Sequence, residues 1–264
     1  MSNLPIGIFD SGFGGLTVAR AIVDLLPREN IVYLGDTARA PYGPRPIGQV
    51  REYTLQCLDR IVETGVKMLV IACNTGSAAA FAQAGERYEV PVVEVIRPAA
   101  GHAIATTRTG HIGVICTEAT AASHAYDDAL RSAPVTVTTA ACPRFVEFVE
   151  NGITSGPEVM TLAEHYLAPL KGAGVDTLIL GCTHYPLLSG VISYVMGDSV
   201  ALVSSADECA RATFAALTRQ DLLRDETTPA TLTFWTTGDP QRFEGLGRRL
   251  VGGFVTGVRP VVLG

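Results

Sequence analysis

No CxxC pair occurs among the six cysteines (Cys57, Cys73, Cys116, Cys142, Cys182 and Cys209), and none stands near histidines at metal-ligand spacing. Their dispersal argues against a disulfide framework or a zinc site, so no metal is expected and reduced thiols in a cytoplasmic protein are. No GxGxxG turn and no Walker lysine is present, which removes the usual signatures of nucleotide cofactors. Charge is sparse too. Only 17% of the 264 residues are charged and the net charge is −6, with no basic run interleaved with aromatics, so nucleic acid is not expected as a primary ligand. The start, MSNLPIGIFD, has no charged segment leading into an apolar one, and the most apolar stretch, 66–82, carries Lys67, Asn74, Thr75 and Ser77. Neither a secretory signal nor a membrane partner is expected.

What is abundant is apolar: 47% hydrophobic residues with only 7% aromatic, a composition that suits sheets covered on both faces. One stretch repeats. GVKMLVIACNT (65–75) and GVDTLILGCT (174–183) match without gaps at Gly65/Gly174, Val66/Val175, Leu69/Leu178 and Cys73/Cys182. Upstream, Ile6-Gly7-Ile8-Phe9-Asp10-Ser11 resembles Ile112-Gly113-Val114-Ile115-Cys116-Thr117. Two ordered blocks recurring at nearly constant separation read as an internal duplication. Each block is a short apolar run bounded by glycine and polar residues, the pattern of a buried parallel strand, and each cysteine falls at the carboxyl end where open α/β sheets keep their ligands. If the two units face each other about a pseudo-twofold axis, Cys73 and Cys182 flank one ligand as a two-thiol acid/base pair. As an alternative, both are buried small hydrophobes, the usual fate of a free cysteine. Their placement at the ends of echoed strands favours the catalytic reading.

In chain order, a strand at 4–9 leads into DSGFGG and an amphipathic helix ending at Pro27. That turn suits either carboxylate binding through backbone N–H groups or simple capping. A strand at 30–34 precedes GDTARAPYGPRP, whose prolines fix a loop; Tyr42 there either binds or merely packs. A helix over 47–65 buries Cys57, the Cys73 strand follows, and 91–96 is a strand closed by Pro98. The second unit begins at 112–116, continues through a turn and helix to a strand at 135–139, then a short helix that places Glu150 beside its carboxyl end. A carboxylate is disfavoured there, so a surface position is the simpler reading of Glu150. Helix 158–171, the Cys182 strand, strand 201–204 and helix 207–217 follow, then strand 231–236, helix 240–251 and strand 257–263. This tail has no echo and is expected to rejoin the first unit.

Taken together, IGIFDSGFGGLTV, YLGDTARAPYGP, VIACNT, GVICTEAT and LILGCTHYPLL resemble the glutamate racemase family over nearly the whole chain and in the family's order. CNT and GCTHYP are the specific motifs. The expected fold class is α/β: two pseudo-symmetric doubly wound, flavodoxin-like domains with mainly parallel sheets, 1–97 plus 207–264 and 98–206, with the active site between them. The resemblance implies Cys73 and Cys182 as catalytic bases, Asp10 and His184 as their assistants, and Asp36 and Glu150 as further polar helpers. It places glutamate contacts at Asp10, Ser11, Tyr42, Gly43, Asn74, Thr75, Thr117, Thr120, Thr183 and His184. It implies no cofactor, a homodimer, and supply of D-glutamate for peptidoglycan. Gly76 stands where the family usually has Ala, and Cys116 where Gly or Ala is commoner. Rival readings are a racemase of aspartate or another amino acid, a binding protein that inhibits a topoisomerase, and a thiol-disulfide oxidoreductase, the last weakened by the absence of CxxC.

The chemistry agrees. Racemisation removes a proton from one face of a carbon and delivers another to the opposite face, so one flanking group must be deprotonated while its partner is protonated. A free thiol, with a pKa of about 8.5, needs local donors to reach the thiolate.

Overall fold

A computed structural model describes residues 3–225 and 228–263. The first unit runs β1 (Ile6–Asp10), α1 (Leu16–Leu25), β2 (Ile31–Gly35), α2 (Ile47–Val62), β3 (Met68–Ile71), α3 (Asn74–Arg87) and β4 (Val92–Glu94). Helix α4 (Ile96–Thr106) crosses to β5 (His111–Cys116), α5 (Glu118–Ala122), α6 (Ala125–Leu130), β6 (Thr136–Ala141), α7 (Arg144–Glu150), α8 (Pro157–Gly172) and β7 (Thr177–Gly181). A 3-10 turn (Tyr185–Leu188), α9 (Ser189–Met196) and β8 (Ala201–Ser204) complete the second unit. The chain then returns through α10 (Ser205–Arg219), β9 (Leu232–Thr236), α11 (Pro240–Val251) and β10 (Arg259–Pro260).

Two parallel sheets result, in the orders β10-β9-β2-β1-β3-β4 and β6-β5-β7-β8. The α/β class of doubly wound parallel sheets is therefore as the sequence predicts. The unechoed β9 and β10 extend the first sheet beyond β2, while its run β2-β1-β3-β4 and the run β6-β5-β7-β8 of the second share one order, which is the echo in three dimensions. Its conserved chemistry is steric. A Cβ on Gly7 would come within 2.3 Å of Ile61 and within 3.3 Å of Val66 and Leu69; one on Gly113 would meet Leu170 at 2.5 Å, Leu178 at 2.9 Å and Val175 at 3.3 Å. Each glycine lets the echoed Val and Leu close over the strand. Gly65 and Gly174, which open the two blocks, both hold positive φ, 76° and 67°, a conformation that favours glycine.

Three apolar clusters hold these layers. One packs α2 and α3 on the first sheet, and another packs α7, α8 and α9 on the second. The third is shared, joining α1, α4, α6 and α10 between faces of both sheets, with Ile6, Val70, Val114 and Ile179 in one continuous core. The boundaries at 97/98 and 206/207 fall within the first turns of α4 and α10, helices that belong to this shared core.

Three local readings need correction. Pro98 does not close a strand. It sits in the first turn of α4, where an N–H has no intrahelical acceptor to lose, and the Glu94 carboxylate takes the N–H groups of Ile96 and Arg97 at 2.5 and 2.7 Å. Residues 118–130 form two short helices because His124 turns to φ 55° between them. The last strand shrinks to Arg259–Pro260, where Pro260 offers no ladder N–H.

Position 67/176 shows how the units diverged. Asp176, entering β7, accepts from Thr107 Oγ1 (2.6 Å), Arg108 N–H (2.7 Å), Thr109 N–H (2.8 Å) and Thr177 Oγ1 (3.0 Å), stitching the α4–β5 connection to the sheet. Burial works to raise its pKa, but these donors win and hold it well below the usual carboxylate range. A depressed folded pKa gives stability that is present above the unfolded value of about 4 and is lost as pH falls through the folded one. Asp176→Asn is expected to cost about 2 kcal/mol at neutral pH, the scale of lost charge-assisted hydrogen bonds. Denaturant titration should also show the gap between variant and parent closing as pH drops below about 4.

Candidate active site

Both cysteines stand just beyond the carboxyl ends of equivalent strands, Cys73 after β3 and Cys182 after β7, and both open onto one cavity of about 610 Å³. In each sheet the chain steps to one side of the first strand and then to the other, so the cysteine lies at the switch point where such sheets bind ligands.

Cys73 is the N-cap of α3. Its sulfur accepts the Gly76 N–H at 3.3 Å, and its thiol donates to Ser11 Oγ at 3.4 Å. Burial, and then the charge of Asp10, push this thiol up to about 12 against those two partners. Cys182 has different neighbours. Its sulfur lies 3.9 Å from His184 Nδ1, and His184 Nε2 lies 3.2 Å from Glu150 Oε1. Burial alone would lower the imidazole, but Cys182 and Glu150 outweigh it and raise His184 to about 10. Glu150 and Cys182 thus hold the His184 imidazole toward its charged form, while burial and Asp10 hold Cys73 toward its neutral thiol. The two sulfurs are equivalent in position and opposite in electrostatics.

The glycine turn after β1 serves close approach. A Cβ on Gly14 would lie 2.3 Å from Thr183 Oγ1 and 2.5 Å from His184 Nδ1, and one on Gly15 would lie 2.3 Å from the Asp10 Cβ. The turn from the first unit is thereby seated against the Cys182 loop of the second, and Thr17 Oγ1 fastens it by donating to the Thr183 carbonyl at 2.9 Å. The proline-rich loop makes the other bridge: the Gly43 carbonyl accepts the Ala119 N–H at 2.9 Å, and Gly43 faces Thr117.

Of the residues named from the sequence, Ser11, Tyr42, Gly43, Cys73, Asn74, Thr75, Thr117, Glu150, Cys182, Thr183 and His184 line the cavity. Asp10, Asp36 and Thr120 do not. Asp10 lies behind Ser11, with Oδ2 accepting the Gly12 N–H at 2.9 Å and Oδ1 buried without a hydrogen-bond partner. Burial raises its pKa, offset in part by backbone N–H groups and the His184 charge. Thr120 closes a triangle of hydroxyls with Thr75 and Thr117, at 2.9 to 3.1 Å, that fixes the two lining threonines. Asp36 is fully engaged below the loop, its Oδ2 accepting from Arg39 Nε (2.6 Å) and the Tyr42 hydroxyl and its Oδ1 from Thr237 (2.7 Å). It positions the loop and is not placed to exchange a proton with a ligand. The Tyr42 hydroxyl is spent on Asp36, so only the ring and backbone of Tyr42 face a ligand. Asn74 is oriented by Tyr126, whose hydroxyl donates to its Oδ1 at 2.7 Å.

Glu150 is not merely tolerated at the surface; His184 gives it a partner. Cys116 is fully buried off the cavity, its thiol pushed up to about 12 by burial. Sequence reasoning missed Phe13, Thr37, Glu118, Pro143, Val146, Glu147, Gly238, Asp239 and Arg242, which also line the cavity. A signal for the last three was present. Asp239-Pro240 marks a helix start just past the carboxyl end of β9, and hence on the ligand side of the sheet.

Among the described residues no group of His, Cys, Asp and Glu is arranged to hold a metal, and no helix is long and apolar enough to cross a membrane. Residues 6–213 match the Asp/Glu/Hydantoin racemase family. A glutamate racemase of Mycobacterium ulcerans is 60% identical over 97% of this chain and 96% of its own. Two solved structures superpose over nearly their full length. A glutamate racemase isoform of Bacillus anthracis has a TM-score of 0.95 at 39% identity, covering 98% of each chain. The glutamate racemase of Francisella tularensis, in complex with D-glutamate, has a TM-score of 0.93 at 32% identity, covering 100% of this chain and 99% of that one. With its paired cysteines on one cavity and these relatives, the chain belongs to the Asp/Glu/Hydantoin racemase family and, within it, to the glutamate racemases.

Proposed function

We propose that this protein interconverts L- and D-glutamate by two-base proton transfer through Cys73 and Cys182. The observation that carries the reading is that two thiols from equivalent strand ends, each with its own polar partner, open on one cavity. In the L-to-D direction the Cys182 thiolate takes the α-hydrogen as a proton, leaving a planar carbanion. The Cys73 thiol then protonates the opposite face. The products are D-glutamate, a Cys182 thiol and a Cys73 thiolate, and exchange with water resets the pair. The surroundings of the two sulfurs support this assignment of faces, because Cys182 has the His184 imidazole 3.9 Å away whereas burial and Asp10 push the Cys73 thiol up. Ser11, Asn74, Thr75, Thr117, Thr183 and the backbone of Tyr42 and Gly43 supply donors for the two carboxylates. The N–H groups opening α3 add the positive end of a helix dipole where charge develops.

The same reading assigns Asp10 and His184 as assistants of Cys73 and Cys182, and takes the protein to be a cytoplasmic homodimer that needs no cofactor and supplies D-glutamate for peptidoglycan. It divides the chain into 1–97 with 207–264 and 98–206, with α4 and α10 as the shared joint. The test is stereoinversion followed by circular dichroism with L-glutamate and L-aspartate in parallel, before and after exhaustive chelation. Glutamate is expected to racemise fully with or without chelator, and aspartate far more slowly. Faster inversion of aspartate, or loss of activity on chelation, would overturn the reading.

A further inference from the structure

The wall that carries Glu150 ends in a tight carboxyl cap. Beyond α7, the Ile153 N–H reaches back to the Phe148 carbonyl and the Gly152 N–H to the Val149 carbonyl, both at 2.8 Å, with Gly152 at φ 78°. This paired pattern satisfies two of the helix's terminal carbonyls. The Glu150 carbonyl takes its donor from the other unit: Arg249 Nη2, on the last turn of α11, donates to it at 2.8 Å. The guanidinium lies against Gly152, 3.5 Å from where a Cβ would be. Leu250 beside it packs on both the shared core and the outer core of the second unit. A cation at a helix carboxyl end also suits the dipole.

We propose that Arg249 is a positioning residue for Cys182, holding the end of α7 so that the Glu150 carboxylate stays hydrogen-bonded to His184. The inference rests on the reading of Cys182 as a base. Arg249 contacts neither His184 nor the sulfur. It acts through one backbone carbonyl, on the residue whose side chain is 3.2 Å from His184 Nε2. The groups that face the imidazole are Cys182 and Glu150 on its own unit and Asp10 from across the cleft, with Glu147 on the same cavity wall as Glu150. Of these only Glu150 is tethered by Arg249. If the tether is cut, Glu150 drifts from Nε2, His184 loses its proton at lower pH, and Cys182 loses the cation beside it.

The experiment compares Arg249→Gln and Arg249→Lys with the parent, reading turnover and the rate at which iodoacetamide alkylates each cysteine, resolved by peptide mass. Arg249→Gln is expected to lower kcat about tenfold, the scale of a small misplacement of a catalytic group, with little change in KM. Cys182 alkylation at pH 7 should slow while Cys73 is unaffected, and the alkaline limb of kcat should move to lower pH. Arg249→Lys, which keeps the cation within reach, should recover most of each. Parental turnover and alkylation in Arg249→Gln would overturn the proposal. So would equal slowing at both cysteines with a lowered Tm, the mark of a merely structural staple. Alkylation reads the thiolate without turnover, so failure here is distinguishable from failure of the racemase reading itself.

Discussion

Cys182→Ser and Cys73→Ser are each expected to reduce net inversion by on the order of a thousandfold or more, because a serine hydroxyl is a far poorer base than a thiolate. The losses should be equal in the two directions when expressed as kcat/KM, since the enantiomers have the same free energy. The partial reactions should differ. Cys73→Ser keeps the Cys182 thiolate and should still exchange the α-hydrogen of L-glutamate with solvent; Cys182→Ser should exchange only D-glutamate. The electrostatics add a ranking. Cys182 has His184 beside it, whereas burial and Asp10 push Cys73 up to about 12, so the exchange that survives in Cys73→Ser should be the faster of the two. Proton NMR of each enantiomer in deuterated water reads both rates. Efficient inversion by either single variant would contradict the assignment.

The second large effect lies at the opposite end of the sheet. Lys67, entering β3, and Glu29, ahead of β2, are both buried and pair at 2.5 Å. Lys67 Nζ also donates to the Leu222 carbonyl at 2.7 Å, and Glu29 Oε1 accepts the Arg224 N–H at 2.8 Å. The pair therefore ties the segment after α10 beneath the first sheet. Lys67→Met leaves a buried carboxylate without its counter-ion and should cost about 3–5 kcal/mol. That corresponds to a fall of about 10 °C in Tm for a chain of this size. Restoring neutrality with Lys67→Met/Glu29→Gln should recover much of it. The folded variant should keep its turnover, since the pair sits at the amino ends of strands whose carboxyl ends carry the cysteines. A loss under about 1 kcal/mol would show that water compensates Glu29 and that the pair is not buried in solution.

Much of this architecture was legible because duplication prints the same steric demands twice. Gly7 and Gly113 each admit an echoed Val and Leu, Gly65 and Gly174 each require positive φ, and the two cysteines inherit one position. The unduplicated parts were harder to read. Pro98 looked like a stop because the cap that tolerates it is the carboxylate of Glu94, four residues earlier. Asp36 carried the family resemblance without the geometry, its oxygens consumed by Arg39, Tyr42 and Thr237. Glu150 looked misplaced at a helix end because its compensations, His184 and Arg249, lie 34 and 99 positions away. Arg242 and Asp239 escaped notice because the tail has no echoed counterpart to draw attention to them, although the Asp239-Pro240 helix start after β9 places them at the ligand side of the sheet.

The most direct test of two bases on opposite faces is the fate of hydrogen in a single direction of turnover. L-glutamate is converted in deuterated water and stopped early, and the α-position of each enantiomer is read by mass spectrometry after chiral separation. With Cys182 removing the proton and Cys73 delivering another, the D-glutamate formed should carry solvent deuterium while remaining L-glutamate stays protiated. D-glutamate that retains the original hydrogen would mean one base serving both faces, and would contradict the account.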